Sequence, residues 1–392
     1  MLSALLTFAY LCAPASTSPE SPSLVEANNR LGINILRRLS LRMNNVVLSP
    51  VSVSAAIALV YLGAKGVSEE ELAEVLGIKM AHFDGKRSVE KGFAPLLDHF
   101  RHLEKEVNFH IANAFLVQKE FPVLEEYKEY LTAFGVLYKE VIFAASEATQ
   151  INEWFANQTR GFITNVTPEI HMNTVMAVIN AVYFKGDWQK PFVVGQTKKG
   201  YFRNLPPPQV LVDMMTQVNT FRVSSSKELD AELLELPYES PEFSMVVILP
   251  NAPNGYASLL DKLDAVMLQR AIDDLDRAAP TQVNVTLPRF RMVSQVSLVD
   301  MLRGLGIQSI FEIDKANLTG ISDVSGLIVS DIMHKAVIEV DEKGSESAGT
   351  GALGITFRAG IHTFVVDHPF LFFVRYKPAD DLILFMGVIS SL

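Results

Sequence analysis

Cysteine is almost absent from this sequence: its 392 residues hold one, Cys12. A lone thiol excludes an intramolecular disulfide framework and any cysteine-based zinc site. Positive charge is also short. Lys and Arg number 34 against 44 Asp and Glu, a net charge of −10, which argues against nucleic acid or an anionic membrane as a general partner. The signatures of common enzyme classes are missing as well, with no Gly-x-Ser-x-Gly, no P-loop and no His-Glu-x-x-His. No repeat and no linker divides the chain, and the one proline run, Pro206-Pro207-Pro208, lies between strand-like flanks and reads as a loop. With 49% hydrophobic and 20% charged residues the chain must bury a sizeable core, as several domains or as one unusually large one.

The position of Cys12 matters more than its count. Residues 1–15 (MLSALLTFAYLCAPA) are apolar and uncharged and close on Ala13 and Ala15, the small-residue spacing signal peptidase prefers. A signal peptide is therefore expected there, with a secreted, extracellular mature chain that lacks cysteine. The run is too short to span about 30 Å of hydrocarbon. Residues 16–23, rich in Ser and Pro, read as a loose N-terminal segment. Sequons at Asn157, Asn165, Asn284 and Asn317 fit a secretory route and are candidate glycosylation sites, although Pro168 weakens the one at Asn165.

Residues 24–41 carry apolar side chains at helical spacing. Residues 50–66 (PVSVSAAIALVYLGAKG) are apolar nearly all round, with Pro50 where a first turn tolerates it, so this second helix should be buried. Ser68-Glu69-Glu70-Glu71 before Leu72 predicts a capping box, and Gly77 a C-terminal stop. Val107, Phe109, Ile111, Phe115 and Val117 alternate along a strand, 122–134 and 148–163 read as helices, and 175–184 reads as a central strand. Beyond residue 200 strands dominate, at 210–213, 232–237, 243–249, 282–287, 327–341 and the closing pair 370–376 and 382–388, with helices at 257–276 and 296–304. Helices first and strands later, without βαβ alternation, indicate an α+β fold.

Gly349-Thr-Gly351-Ala-Leu-Gly354 matches a dinucleotide fingerprint, with Asp367 beyond it, but the β-branched, Gly-interrupted sequence that follows cannot open the required helix. His99 and His102 sit at i, i+3 without a further ligand cluster, which favours a solvated helix face over a metal site. The informative segment is 342–360 (EKGSESAGTGALGITFRAG). From Ser345 the alternate positions are Ser345, Ser347, Gly349, Gly351, Leu353, Ile355 and Phe357, while the intervening set has no large apolar residue. Its glycines suit a loop, yet the period of two suits a strand with one buried face. Burying Leu353, Ile355 and Phe357 would contribute about 1.5–3 kcal/mol each, and new ladder hydrogen bonds about 0.5–1.5 kcal/mol apiece. The segment is written for two states, and Arg358-Ala359 near its far end offers a cleavable bond to a protease whose pocket takes a basic side chain.

With these features the chain resembles a serpin over essentially its whole length after the signal peptide. The resemblance rests on residues 45–52 (NVVLSPVS), 180–188 (NAVYFKGDW), Leu287-Pro288-Arg289-Phe290, 334–345 (HKAVIEVDEKGS) and 364–374 (FVVDHPFLFFV). Within the family it is similar to arthropod salivary or haemolymph inhibitors. The resemblance implies a single large domain over 24–392 with a central, mostly antiparallel sheet, two further sheets, about nine helices and an exposed reactive-centre loop near 344–362. It also implies a monomeric, non-enzymatic suicide inhibitor that needs no cofactor or metal. A trypsin-like protease would attack Arg358 and form an acyl-enzyme, after which the freed loop would insert into the central sheet. Arg358 and Ala359 would then be the reactive bond, Thr356, Phe357 and Gly360 its specificity neighbours, and Gly344, Ser345, Glu346, Ser347 and Ala348 the hinge. The Phe357-Arg358 pair resembles what plasma-kallikrein-like enzymes accept, among other coagulation and inflammation proteases.

Ser49, Ser52, Asn180 and His334 match the family's polar cluster where the sheet opens; Trp188, Arg289 and Glu342 match its insertion-point contacts. The glycines at 349, 351 and 354 depart from the small alanines typical of inhibitors and cost about 0.5–1 kcal/mol each relative to Ala on becoming a strand. A non-inhibitory serpin, a ligand carrier or storage protein cleaved only as a substrate, is the alternative, for which a charged or Pro-containing hinge would be expected. Lys86, Arg87, Lys91, His99, Arg101, His102 and Lys105 make one helix locally basic, which suits either a solvated face or modulation by a heparin-like glycosaminoglycan.

Overall fold

The computed structural model describes residues 24–103, 107–143, 145–167, 173–343 and 360–392. The expected signal peptide and loose N-terminal segment therefore lie outside the described residues. The chain divides into two compact units, each drawn from three stretches of sequence. One takes the chain up to Ile35 with Leu48–Phe184 and Val293–Val337; the other takes Leu36–Val47, Lys185–Met292 and Ile338–Leu392.

Among the described residues nine α-helices and fourteen strands alternate irregularly, as an α+β chain should. In order they are α1 (Leu24–Ser40), β1 (Asn45–Leu48), α2 (Pro50–Gly63), α3 (Gly66–Leu76), α4 (Lys86–His102), β2 (Asn108–Gln118), α5 (Glu125–Ala133), β3 (Leu137–Val141), α6 (Ala145–Gln158) and β4 (Met176–Lys185). There follow β5 (Lys198–Phe202), β6 (Val210–Ser226), β7 (Ala231–Pro237), β8 (Phe243–Pro250), α7 (Tyr256–Lys262), α8 (Ala265–Arg277), β9 (Thr281–Pro288), β10 (Phe290–Ser297), α9 (Val299–Leu305), β11 (Asp331–Val340), β12 (His362–Val365), β13 (Phe370–Tyr376) and β14 (Leu382–Ile389).

A five-stranded sheet runs β10-β11-β4-β2-β3, with β2 and β3 parallel. Its middle strand β4 is buried at nine of ten positions, the near-continuous apolar run expected of a central strand. Ile151 and Phe155 of α6 pack with Ala114, Leu116, Ile179, Ala181 and Val337 of the sheet. All fourteen residues of α2 are buried, which explains a composition without a polar face. In the second unit β6 is long enough to serve two ladders. Residues 210–221 pair β5 and β9, its last part pairs β7, and the nine strands thereby form one sheet, eight of them along the path β1-β14-β13-β8-β7-β6-β9-β12, with β5 beside β6. The short strand expected at 210–213 is thus only the start of β6.

The second unit also buries a charged cluster. The Arg375 guanidinium, fully enclosed, donates to Glu235 (2.7 Å), to both Asp276 oxygens (2.7 and 2.9 Å), to Asp381 (3.0 Å) and to Ser244 Oγ (2.9 Å). Lys377 reaches the same Glu235 at 2.6 Å.

Three local expectations are corrected. The capping box is not formed, because α3 starts three residues earlier, with Lys65 rather than Ser68 at the N-cap position. Ser68 lies inside the helix, accepting from the Asn317 backbone N–H (3.0 Å) beside Ser309 Oγ (2.9 Å). Glu71 instead satisfies the N–H groups of Gln308 (2.9 Å) and Ser309 (2.8 Å), which open a 3₁₀ turn and have no partner within it. Gly77 does end α3 in the left-handed region, at φ 68°. The helix expected at 257–276 is two, since Leu263 is extended and Asp264 caps α8 by accepting from Met267 N at 2.7 Å. The helix expected at 296–304 begins at Val299, the residues before it completing β10.

Candidate functional site

Two polar assemblies, one in each unit, gather the side chains singled out by sequence. In the first, Ser49 precedes α2 and Ser52 lies in its first turn, while Asn180 and His334 face them from β4 and β11. His334 is fully buried, and burial pushes its pKa down to about 3. The ring is therefore neutral. Its Nε2 accepts the Ser49 backbone N–H at 3.1 Å, so the single ring proton resides on Nδ1 and is donated to Asn180 Oδ1 at 2.6 Å. Ser52 Oγ donates to the same oxygen at 2.8 Å, and Asn180 Nδ2 donates to Asn113 Oδ1 at 2.6 Å. All four expected residues meet, and Asn113 on β2 is a fifth member the sequence reading missed. Parting β11 from β4 would break the His334–Asn180 bond and leave buried groups in need of new partners.

In the second unit, the indole of Trp188 stacks on Tyr238 with centroids 4.6 Å apart, and its Nε1 donates to the Asp341 carbonyl at 2.9 Å. The chain after β4 is bonded to the chain after β11 at further points. Phe192 N donates to Glu342 O at 3.1 Å, Thr197 Oγ1 to Glu342 Oε1 at 2.7 Å, and Lys185 Nζ to Asp341 at 2.6 Å. Arg289 lies beside Glu342, but its nearest approach is 3.7 Å. Its tight partner is Asp213 on β6, at 2.6 Å, which Lys199 of β5 also reaches at 2.9 Å. Hydrogen bonding from Lys199, with the charge of Arg289, holds the Asp213 carboxyl below the usual carboxylate range. Asp213, Arg289, Arg291, Glu339 and Asp341 line a charged cleft of about 390 Å³.

The reactive-bond residues Arg358 and Ala359, their neighbours Thr356 and Phe357, and the hinge residues Gly344, Ser345, Glu346, Ser347 and Ala348 lie outside the described residues, as do the glycines of the rejected fingerprint. Gly360 is described. It is exposed at φ 110°, a backbone that favours glycine, and leads into β12.

Of the sequons, Asn157 and Asn165 are exposed. Asn317 is half-buried and accepts from the Thr319 hydroxyl at 2.9 Å. Asn284 is poorly placed for a glycan: it sits within β9 between Val218 of β6 and Thr363 of β12, with its Oδ1 buried and unbonded. On α4 most of the basic groups face acids of their own. Lys86 pairs with Glu69 (3.3 Å), Arg87 with Glu90 (3.0 Å), and Arg101 and His102 with Asp98 (3.3 and 3.8 Å), while Lys105 lies outside the described residues. Among the described residues no group of three or more metal-ligating side chains converges, and no helix is long and apolar enough to cross a membrane.

A family model described as serpin (serine protease inhibitor) matches residues 26–392. The chain is 36% identical over 389 residues to Iripin-8 of Ixodes ricinus, covering 96% of this chain and 95% of that protein. It is 33% identical over 382 residues to the leukocyte elastase inhibitor of Sus scrofa, covering 94% and 99%. Among solved structures, uncleaved ovalbumin superposes with a TM-score of 0.85 at 28% identity, covering 94% of this chain and all of that one.

Proposed function

The chain belongs to the serpin family, and from that membership we propose that it is a secreted suicide inhibitor of trypsin-like serine proteases. The protease would cleave Arg358-Ala359, remain attached to Arg358 as an acyl-enzyme, and be carried along as residues 345–357 add a strand to the five-stranded sheet. The observation that carries this reading is where the alternating segment is tethered. It leaves the end of β11, whose neighbour in the sheet is β4, and rejoins the chain at β12, the last strand of the other sheet. A strand entering beside β11 would have to part the Thr197–Glu342 bond at one end and the His334–Asn180 bond further along. Both are single hydrogen bonds whose groups can exchange partners, the first, to a carboxylate, worth about 1.5–3 kcal/mol and the second, between neutral groups, about 0.5–1.5 kcal/mol. The leukocyte elastase inhibitor among the relatives supports inhibition as the activity, and Arg358 supports a protease with a basic-residue pocket.

Mixing the protein with trypsin tests the proposal. The expected result is a complex that survives SDS, with a C-terminal fragment whose sequence starts at Ala359. Complete cleavage without a complex would instead make the protein a substrate-like or carrier serpin. A fragment starting at Arg358 would move the reactive bond to Phe357-Arg358 and the target to chymotrypsin-like proteases. Secretion is tested separately, by N-terminal sequencing of the chain recovered from the medium of expressing cells, which should start at Ser16.

A further inference from the structure

His368, a buried residue between β12 and β13 in the second unit, has an acceptor at each of its two ring nitrogens. Nδ1 stands 2.8 Å from Asp367 Oδ1, and Nε2 stands 2.9 Å from the carbonyl oxygen of Pro250 at the end of β8. A carbonyl oxygen can only accept. So can an ionised carboxylate, and Asp367 is one: against the cost of burial, hydrogen bonds from His368 and Arg203 hold its carboxyl below the usual carboxylate range. A neutral imidazole has one hydrogen and would turn a lone pair towards the other oxygen, whereas the imidazolium donates to both. Arg203 completes the assembly, giving Nη2 to Asp367 Oδ2 at 2.6 Å and its backbone N–H to the Asp367 carbonyl at 2.8 Å. What these bonds hold is the end of β12. Among the described residues that strand pairs only β9, over four residues, and beyond it Val366 N donates to Thr286 O at 2.9 Å.

We propose that His368 is a pH-sensitive clamp: as an imidazolium it donates to Asp367 and Pro250 at once and fastens the end of β12 to the end of β8, and on losing its proton it gives up one bond and loosens the strand. Histidine suits this task because its charge changes near neutral pH. Besides Asp367, three charged groups come near from the neighbouring elements. Arg203, between β5 and β6, is bound to Asp367; Asp230, just before β7, holds Asn251 beside Pro250 at 2.7 Å; and Glu232 of β7 lies 3.5 Å from His362, at the other end of β12. The ordinary alternative is a neutral ring bonded to one acceptor and merely close to the other, which predicts no release of β12 as pH rises. Because β12 follows the segment with Arg358-Ala359, the clamp fixes the C-terminal foot of that segment. This bearing on inhibition rests on the proposed function; the clamp itself does not.

Hydrogen exchange of the uncleaved protein, read by mass spectrometry on the peptide spanning 362–367, tests the clamp at pH 6 and pH 8.5 after correction for the intrinsic pH dependence of exchange. In the parent, protection should fall about tenfold between the two, the scale of one charge-assisted hydrogen bond. His368→Arg, a permanent cation with several donors, should keep high protection at both pH values. His368→Gln, which does not titrate, should show the same protection at both, whatever its absolute level, and His362→Gln should behave as the parent does. Nitrogen-15 spectra of histidine-labelled protein at pH 6 should show two protonated ring nitrogens on the residue whose signals disappear in His368→Gln. Parental protection that does not change with pH, a pH dependence that survives in His368→Gln or His368→Arg or is lost in His362→Gln, or a singly protonated His368 at pH 6 would each overturn the proposal. Failure to trap trypsin would remove the inhibitor reading and leave this result untouched.

Discussion

His334 Nε2 stands 3.1 Å from the backbone nitrogen of Ser49 and accepts its hydrogen. That bond exists only while the ring is neutral, so it ties the buried cluster to pH. With the pKa pushed down to about 3, the folded ring refuses a proton that the unfolded chain accepts from about pH 6.5 downward. The sign follows: stability from this group is complete above pH 6.5 and is lost as pH falls towards 3, by up to about 1.4 kcal/mol per pH unit. His334→Gln should be less stable at pH 7.5 by about 1–3 kcal/mol, yet its stability should fall less steeply on acidification. Urea denaturation from pH 7.5 to pH 4 checks both, and an equal acid slope in the variant would refute the assignment.

Asp381 works in the opposite direction. Burial, with Asp276 and Glu235 adding like charge against the pull of Arg375, pushes its pKa up to about 6. Its folded form therefore holds a proton that the unfolded form has released, and its contribution, complete below about pH 4, is lost as pH rises through 6. Asp381→Asn imitates the protonated acid and retains an oxygen for Arg375, so it should stabilise the protein at pH 7.5 by about 1–3 kcal/mol. The gain should vanish towards pH 4 in a series of melting curves. Because this titration opposes that of His334, the variant should also show a steeper acid loss than the parent.

Asn113 gives Asn180 its only bonded acceptor for the amide hydrogens within the cluster. Asn113→Ala should leave that buried donor without a partner and cost about 1–3 kcal/mol. Asn113→Asp keeps the acceptor oxygen but places an ionisable carboxyl at a buried position, so at neutral pH it should lose at least as much. A urea midpoint for Asn113→Ala equal to that of the parent would show that the bond carries no weight.

Gly387 of β14 lies opposite Phe372 of β13. An added Cβ would stand 2.6 Å from the Phe372 ring and 2.7 Å from the Val46 carbonyl oxygen, with the backbone atom unable to move aside. Gly387→Ala should therefore destabilise by about 1–3 kcal/mol. Calorimetry that returned an unchanged or raised melting temperature would contradict this packing.

The elements most legible in the sequence were those whose residues settle their own environment. An all-round apolar run could only be the buried α2, and continuous apolar strands marked β4, β13 and β14. What failed was local chemistry captured by distant partners. Ser68 and Glu71 have the spacing of a capping box, but Glu71 is drawn to the N–H groups of Gln308 and Ser309, which no local pattern announces. The helix at 257–276 was split by one side-chain bond from Asp264, across which the apolar spacing runs on. The strand β10 has no clean alternation of burial and was missed. In the candidate site, Asn113 had left a signal. Of the alternating positions 107, 109, 111, 113, 115 and 117, five are apolar and one is Asn, a polar group on a face that should be dry. Asp213 left none, since its bond to Arg289 joins residues 76 apart and nothing marks an acidic residue at a strand start as special.

The part of the chain that follows the expected cleavage point holds β12, β13 and β14. Of these, β13 and β14 are buried along their whole length, and β13 is paired on both edges. Cutting the backbone before them would sever a covalent bond without releasing a product. The cleaved protein would be a two-chain complex, held by a largely apolar seam that also encloses the Arg375 bonds to Glu235 and Asp276, and its mass in native solution would be that of the intact molecule. Only denaturant would part the two pieces, and the shorter, stripped of its neighbours, would expose two strands apolar but for Arg375, with unpaired edges, and aggregate rather than return to its place. For this molecule, being cut and coming apart are separate events.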